Sequence, residues 1–339
     1  HQALLSSAGD LTDGNDLVTQ DEVFGPAGTD KLAGRVFFTM GCHAGLSVPD
    51  AYVTGTAADG AAQDWAQTLA AANVAVYVAN TGFGIGDSAS VAYSERLMAL
   101  FAKLLDGSMT VGQALTWAKQ SYYGSLGAVG VYDSKILQQT AFYGLPFWEV
   151  DTGHPAPAAP TRPVLPSVMT PDVATGLQSV EVELNPDLAP VSAAGRTHWT
   201  VRGQDPQVTQ FQPIQPRLSV PVGDSGLVAH GALIGTLESH DVAGVTPNVS
   251  TPVVDTSAAA PPVRSDDAAW PTSIASITTS QAPYGRDQHL VVTPGQFTGS
   301  TFDGTGVQRL FDHVGASVLY SPESTADFTP PAVGVATGE

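Results

Sequence analysis

Over the first 150 residues the hydrophobic positions form two kinds of run. Val36–Met40 and Val74–Val78 are short continuous apolar stretches, which predict two buried strands. Between them, Gln63–Ala72 sets Trp65 and Leu69 four apart, the spacing of one helix face. Ser90–Leu105 predicts a stronger amphipathic helix, with Val91, Leu97, Leu100, Phe101, Leu104 and Leu105 apolar. Thr110–Tyr122 predicts another, with Thr110 as its N-cap. Ser134–Phe142 predicts a third, stopped by Gly144-Leu145-Pro146. Alternating strands and helices of this length argue for a layered α/β domain.

The pattern then changes. Asp151 to Pro171 is rich in Pro, Ala and Thr, the composition of a stiff extended linker. Beyond it the helical period gives way to short alternating runs, Val180–Leu184, His198–Val201, Leu290–Val292 and Ala316–Tyr320, separated by Pro and Gly. These predict an all-β region of sandwich type. Val253–Asp267, rich in Ser, Ala and Pro, predicts a long surface loop.

Charge narrows the function classes. The chain carries 32 acidic against 13 basic residues, a net charge of −19. Its only lysines are Lys31, Lys103, Lys119 and Lys135. Nucleic acid is therefore not an expected partner, because phosphate binding needs clustered basic side chains. No stretch approaches the ~18 apolar residues of a membrane-spanning helix. An acidic, lysine-poor surface suits high salt or an extracellular setting. The chain begins at His1 without a Met, which predicts a processed or partial product.

The chemistry concentrates at one point. Cys42 is the only cysteine, in Gly41-Cys42-His43-Ala44-Gly45, directly after the first apolar run. It has no disulfide partner within the chain, and the C-terminal tip of a strand in an open α/β sheet is where ligands bind. That placement favours a nucleophile over a small buried hydrophobe. Cysteine catalysis needs a base to generate the thiolate. His43 is a poor one, since neighbours on an extended chain point apart. His1, 41 positions upstream, is the other candidate, and the remaining histidines fall in the linker or the β region. No H-x-x-x-H or C-x-x-C spacing suggests a metalloenzyme.

GCHAG after an apolar strand, followed by a helix and a strand leading to YVANTGFGIGDS, resembles the gingipain-like cysteine peptidases of the caspase-like clan. AYSERLMALFAKLLDGSMTVGQALTWAKQSYY is similar to that family's closing helical pair, and YDSKILQQTAFYGLPFWEV to its last helix and strand. RDQHLVVTPGQF and the segment from VQRLFDHVGASVLY to TPPAV resemble the β region of bacterial surface members. The resemblance spans residues 1–150 and about 285–333.

It implies an α/β caspase-like domain, with a partial, largely parallel sheet and flanking helices, over 1–150. A linker over 151–171 and a β-rich, immunoglobulin-like region over 172–339 follow. It implies an exported cysteine endopeptidase, at the cell surface or outside the cell, acting on a peptide or protein substrate. Cys42 is the implied nucleophile, with His1 as base or the base upstream of this chain. The Gly41 and Cys42 amides stand where an oxyanion hole would form, and His43 is a turn or pocket residue. Asn80–Asp87 would line the pocket, with Phe83 and Ile85 as apolar walls and Asp87 either a cation contact or a helix cap. The family's N-terminal half is absent from this chain, so that half is an implied partner as a separate fragment. The alternative is a catalytically inactive caspase-like protein with a surface or assembly role.

Two weaker signals remain. Asp10, Asp13 and Asp16 surround Gly14 as oxygen ligands do in calcium loops, but without the twelfth-position glutamate, so a solvated turn competes with a calcium site. No cofactor is required by the expected chemistry. Asn248-Val249-Ser250 is a glycosylation sequon. The five tryptophans are expected to be packing residues.

Overall fold

The computed structural model describes residues 32–47, 65–158, 161, 170–171, 177–223, 226–253, 268–299 and 305–323. They belong to two compact units, one comprising 1–123, 129–159 and 251–260, the other 124–128, 160–250 and 261–339.

In the first unit β1 (Val36–Thr39), β2 (Val76–Asn80) and β4 (Thr140–Gly144) form a sheet in the order β1-β2-β4. β1 runs parallel to β2, in register from Val36↔Val76 to Thr39↔Ala79. β4 runs antiparallel to β2, from Val76↔Gly144 to Asn80↔Thr140. The described sheet is therefore mixed, with one parallel and one antiparallel pairing, where a largely parallel one was expected. All five β2 residues are buried, as a central strand covered on both faces requires. β1 is less enclosed than its apolar sequence predicts. It is the edge of the described sheet, and Phe38 is 40% exposed.

Four helices flank these strands. α1 (Trp65–Ala71) buries Ala66 and Leu69 in a cluster with Ala44, Tyr77 and Ala79. α2 (Tyr93–Lys103) buries Leu97, Met98 and Phe101, and Phe101 meets Phe38 edge to face at 5.4 Å between centroids. α3 (Val111–Gly124) begins at the expected Thr110 cap. Thr110 Oγ1 accepts the Gln113 amide at 3.3 Å, and Gln113 Oε1 accepts the Thr110 amide at 3.1 Å, a reciprocal capping box. α4 (Val131–Gln139) is shorter than the helix predicted over Ser134–Phe142. From Thr140 the backbone turns to β4, because Thr140, Phe142 and Tyr143 are strand formers and β2 offers them a ladder. A two-residue strand, β3 (Gly86–Asp87), pairs with β11 (Pro252–Val253).

The helices are pinned by three buried side chains. Tyr122 on α3 donates to Asp133 Oδ1 on α4 at 2.6 Å. The Arg96 guanidinium on α2 lies 5.1 Å from the Tyr122 ring centroid. Asp133 Oδ2 accepts the Gly130 amide at 2.8 Å, closing the start of α4. Burial, and then the Asp133 charge, push the Tyr122 phenol upward, so it remains a donor.

Every described element of the second unit is a strand: β5 (Thr170–Pro171), β6 (Gln178–Leu184), β7 (Leu188–Ala193), β8 (Arg196–Val201), β9 (Leu218–Pro221), β10 (Leu227–Val245), β12 (Ala275–Ala282), β13 (Gly285–Val292), β14 (Gly295–Gly299) and β15 (Gly306–Pro322). One sheet runs β10-β15-β6-β5 with β14 also on β15, another runs β12-β13-β9, and β7 pairs with β8. Along β15 the alternate residues Val314, Ala316, Val318 and Tyr320 are fully buried, packing in one core with Val180, Val222, Leu290 and Val292. The alternating runs read from the sequence form the C-terminal parts of β6, β8, β13 and β15. The 19-residue length of β10 was not readable, because four register shifts interrupt its pairing with β15 and blur its period.

Asn248 of the sequon is buried, and its Nδ2 donates to His198 Nδ1 at 2.8 Å. A glycan cannot be attached there in the folded unit. Most of the loop expected over Val253–Asp267 lies outside the described residues.

Tyr122→Phe removes the hydroxyl that donates to Asp133 Oδ1 and keeps the ring. It should cost about 1–3 kcal/mol. Urea unfolding of the full chain with Tyr122→Phe, compared with the parent, measures it.

Candidate active site

The C-terminal tip of β1 runs into a turn over Cys42–Gly45. Tyrosines from the neighbouring strands hold this turn against the sheet. Tyr77 on β2 donates to the Ala44 carbonyl at 2.7 Å, and Tyr143 on β4 donates to the Gly45 carbonyl. The Gly45 amide donates to the Asn80 carbonyl at 2.8 Å. A Cβ at Gly45 would lie 2.7 Å from the Ala79 carbonyl oxygen, so only glycine permits this approach.

The glycine-rich segment Thr81–Ile85 leaves β2 and crosses the same tip. A Cβ on Gly84 would come within 1.9 Å of the Met40 carbonyl oxygen, which makes the contact one of backbone on backbone. The Cys42 thiol donates to the Gly84 carbonyl, with Sγ 3.7 Å from the oxygen. The His43 amide donates to the Gly82 carbonyl at 2.7 Å. His43 Nδ1 lies 3.2 Å from the Thr81 carbonyl, an acceptor only, so Nδ1 carries the hydrogen. The ring also meets Phe83 edge to face at 4.4 Å, and φ of His43 is 54°. His43 is thus a turn residue that ties the two loops together.

The other expected pocket residues divide. Phe83 is 40% exposed, and the Lys135 ammonium sits 5.4 Å from its ring centroid. Ile85 is fully buried, so its side chain belongs to the interior and is not an open wall. Asp87 does not cap α2. Its Oδ1 accepts the Ala89 amide at 2.9 Å, an Asx turn, while the helix starts later at Tyr93 with Glu95 Oε2 accepting the Ala92 amide at 3.4 Å. The Gly41 amide donates to Thr39 Oγ1 at 3.0 Å, so in this arrangement that oxyanion donor is already engaged. His1, Asp10, Asp13 and Asp16 lie outside the described residues. Among the described residues no group of three or more His, Cys, Asp or Glu could hold a metal ion. No described helix is long and apolar enough to cross a membrane.

The organising residue, read in the sequence only as the start of the pocket segment, is Asn80 at the end of β2. It is fully buried. Its Nδ2 donates to the Met40 carbonyl at 3.0 Å and approaches Ser94 Oγ at 3.5 Å, and its Oδ1 accepts the Thr140 hydroxyl at 3.0 Å. Ser94 Oγ in turn accepts the Ile85 amide at 3.1 Å. Gln139 at the end of α4 donates to the Phe83 carbonyl at 2.6 Å. Lys119 on α3 donates to the Thr140 carbonyl at 2.9 Å, and burial holds its ammonium below the usual lysine range. The available signal was a single amide closing a fully apolar strand.

The fold is similar to the Porphyromonas gingivalis complex of RgpB pro- and mature domains, at 18% identity over 45% of this chain and 86% of that chain, with a TM-score of 0.32. It is also similar to the structure that addresses zymogenic latency of gingipain K from the same organism, at 10% identity over 49% of this chain and 98% of that one, TM-score 0.33. Both likenesses are distant and partial. No protein-family model matches the sequence, and no curated protein does.

Gly84→Ala forces the loop away from Met40 and takes the Gly84 carbonyl off the thiol. Cys42 should then react faster with a disulfide reagent than in the parent chain, and Asn80→Ala should act in the same direction. An unchanged rate in both variants, followed by absorbance of the released thiolate, would contradict the coupling of loop and thiol.

Proposed function

We propose that the chain is a cysteine endopeptidase of gingipain-like type, with Cys42 as nucleophile. One observation carries the reading: a thiol sits at the C-terminal tip of a strand, in a turn braced by two tyrosine hydroxyls and crossed by a glycine-rich loop. The reaction is attack of the Cys42 thiolate on a peptide carbonyl, loss of the amine, and hydrolysis of the thioester. The base is His1 or a histidine preceding it. The substrate is a peptide or protein lying along the loop that carries Phe83.

The described arrangement is a resting one. A carbonyl accepts the thiol hydrogen bond without taking the proton, so the Gly84 carbonyl must give way before a thiolate forms. The acidic, lysine-poor composition fits an exported protein at the cell surface or outside the cell. Calcium on Asp10, Asp13 and Asp16 belongs to the same reading, as does the immunoglobulin-like character of the region after residue 171. A separate N-terminal half of the domain would pair with the outer edge of β1. No other described strand occupies that edge, and Phe38 and Met40 are 40% and 36% exposed there.

A second reading, an inactive caspase-like surface or assembly protein, draws on a specific observation. The Gly41 amide, the Cys42 thiol and the His43 ring are all engaged by neighbouring backbone or side-chain groups. The two readings separate in one experiment on the full chain, supplied with an N-terminal fragment where one copurifies. A peptidase labels at Cys42 with a peptidyl acyloxymethyl ketone and degrades casein. Cys42→Ala abolishes both, and His1→Ala slows both at least about 100-fold if His1 is the base. Absence of both in the parent chain selects the inactive protein.

A further inference from the structure

The second unit contains a nucleophile relay separate from Cys42. Ser219 on β9 lies with its Oγ 2.9 Å from His289 Nδ1 on β13, and His289 Nε2 lies 3.1 Å from Asp287 Oδ2. A carboxylate accepts and never donates, so Nε2 carries the imidazole hydrogen. Nδ1 of the neutral ring is then the acceptor for the Ser219 hydroxyl. The serine proton therefore points at a nitrogen able to take it, and the ring is oriented by a carboxylate. This is the nucleophile–base–orienter order of acyl-transfer enzymes, recognised by geometry and not by position in the chain.

Sheet register explains why the three groups meet. Asp287 and His289 are two apart on β13 and share a face. Ser219 pairs directly with Val291 on that strand, so its side chain stands on the same face. The opposite face carries Leu290 and Val292 into the core. His289 and Asp287 retain 25% and 18% side-chain exposure, and β9 is the sheet's edge strand, which leaves the relay open to a reactant.

The link from the relay to a cavity is Val291, the register partner of Ser219. Val291 also lines a cavity of about 130 Å³, walled by Trp270, Ile274 and Ala275 with Thr209 and Thr293 as polar contributors. That volume suits a short acyl chain. Gln204 Oε1 accepts the Ser219 amide at 3.3 Å, which fixes the Gln204 carboxamide against the backbone of Ser219.

We propose that Ser219, His289 and Asp287 form a second active site that hydrolyses short-chain carboxylic esters. Ser219 Oγ bonds to the ester carbonyl carbon as its proton passes to His289 Nδ1. The C–O bond to the alcohol breaks, and the alcohol leaves with that proton. Water then attacks the acyl-serine, giving a proton to Nδ1. The bond to Ser219 breaks, the proton returns to its oxygen, and the carboxylic acid is released. Asp287 is a positioning residue, acting through the ring.

The test uses the full chain after alkylation of Cys42. Incubation with a fluorophosphonate probe, followed by peptide mass spectrometry, should place the label on Ser219. p-Nitrophenyl acetate should be hydrolysed, and p-nitrophenyl palmitate much more slowly. Ser219→Ala should remove the label and the hydrolysis with an unchanged melting temperature. His289→Gln should slow labelling at least about 100-fold. Asp287→Asn should slow it as well, and Asp287→Glu should recover part of the rate, which a purely structural carboxylate would not predict. A parent chain unlabelled at Ser219, or a Ser219→Ala chain that hydrolyses the acetate at the parent rate, overturns the site. Faster turnover of the palmitate overturns the short-acyl assignment.

Discussion

A carboxamide with no access to water organises the cysteine-bearing unit. Left unsatisfied, the buried amide of Asn80 would cost about 1–3 kcal/mol per lost partner, so its neighbours must arrive in bonding geometry. They come from segments far apart in the chain: Met40 at the tip of β1, Ser94 at the start of α2 and Thr140 at the start of β4. The Asn80 carbonyl adds the Gly45 amide on the far side of the Cys42 turn. Cys42 is thus flanked by two residues, Met40 and Gly45, that both bond Asn80. The glycines follow from that closure. Where two loops are drawn onto the end of one strand, backbone meets backbone, and Gly45 and Gly84 occupy places where a Cβ would strike a carbonyl.

What the sequence disclosed was whatever depends on local periodicity. The two apolar runs, the faces of α2 and α3 and the Thr110 cap are written in spacing and in residue type, and they appear in the structure near their predicted bounds. The alternation of Val314, Ala316, Val318 and Tyr320 is equally local, because one face of that strand enters the core. What was illegible depends on partners. Thr140–Phe142 continues a helical pattern by composition and joins strand β4 because β2 has an edge to fill. Ile85 looks like a pocket wall in a glycine-rich loop, yet its amide is held by Ser94 and its side chain is enclosed. Asn80 reads as one polar residue after four apolar ones, and nothing local reveals that its bonds span 60 residues.

The relay at Ser219 was hidden for the same reason. Serine and histidine 70 positions apart carry no motif, and Asp287-Gln288-His289 alone is an unremarkable polar run. Only antiparallel register puts Ser219, Val291, His289 and Asp287 on one face, while the apolar residues between them fill the core on the other. A strand with one buried face leaves no freedom in this: slipping β9 by one residue would drive Ser219 into the core and bring Val220 out.

The two nucleophiles differ in where their protons point, and that difference sets what each needs in order to react. The Cys42 hydrogen faces the Gly84 carbonyl, a group with no capacity to become the base, so reactivity there requires a loop movement and a base from elsewhere. The Ser219 hydrogen faces an imidazole nitrogen whose opposite nitrogen is already committed to a carboxylate, so no rearrangement separates the resting geometry from proton transfer. The constraint at Cys42 is conformational and lies with Asn80 and the glycines that seat the loop. At Ser219 it is one of access, set by the edge position of β9 and the small cavity behind Val291. Loosening the Asn80 network therefore bears on the first site by exposing its thiol, whereas the second responds to the size of the group its cavity can take.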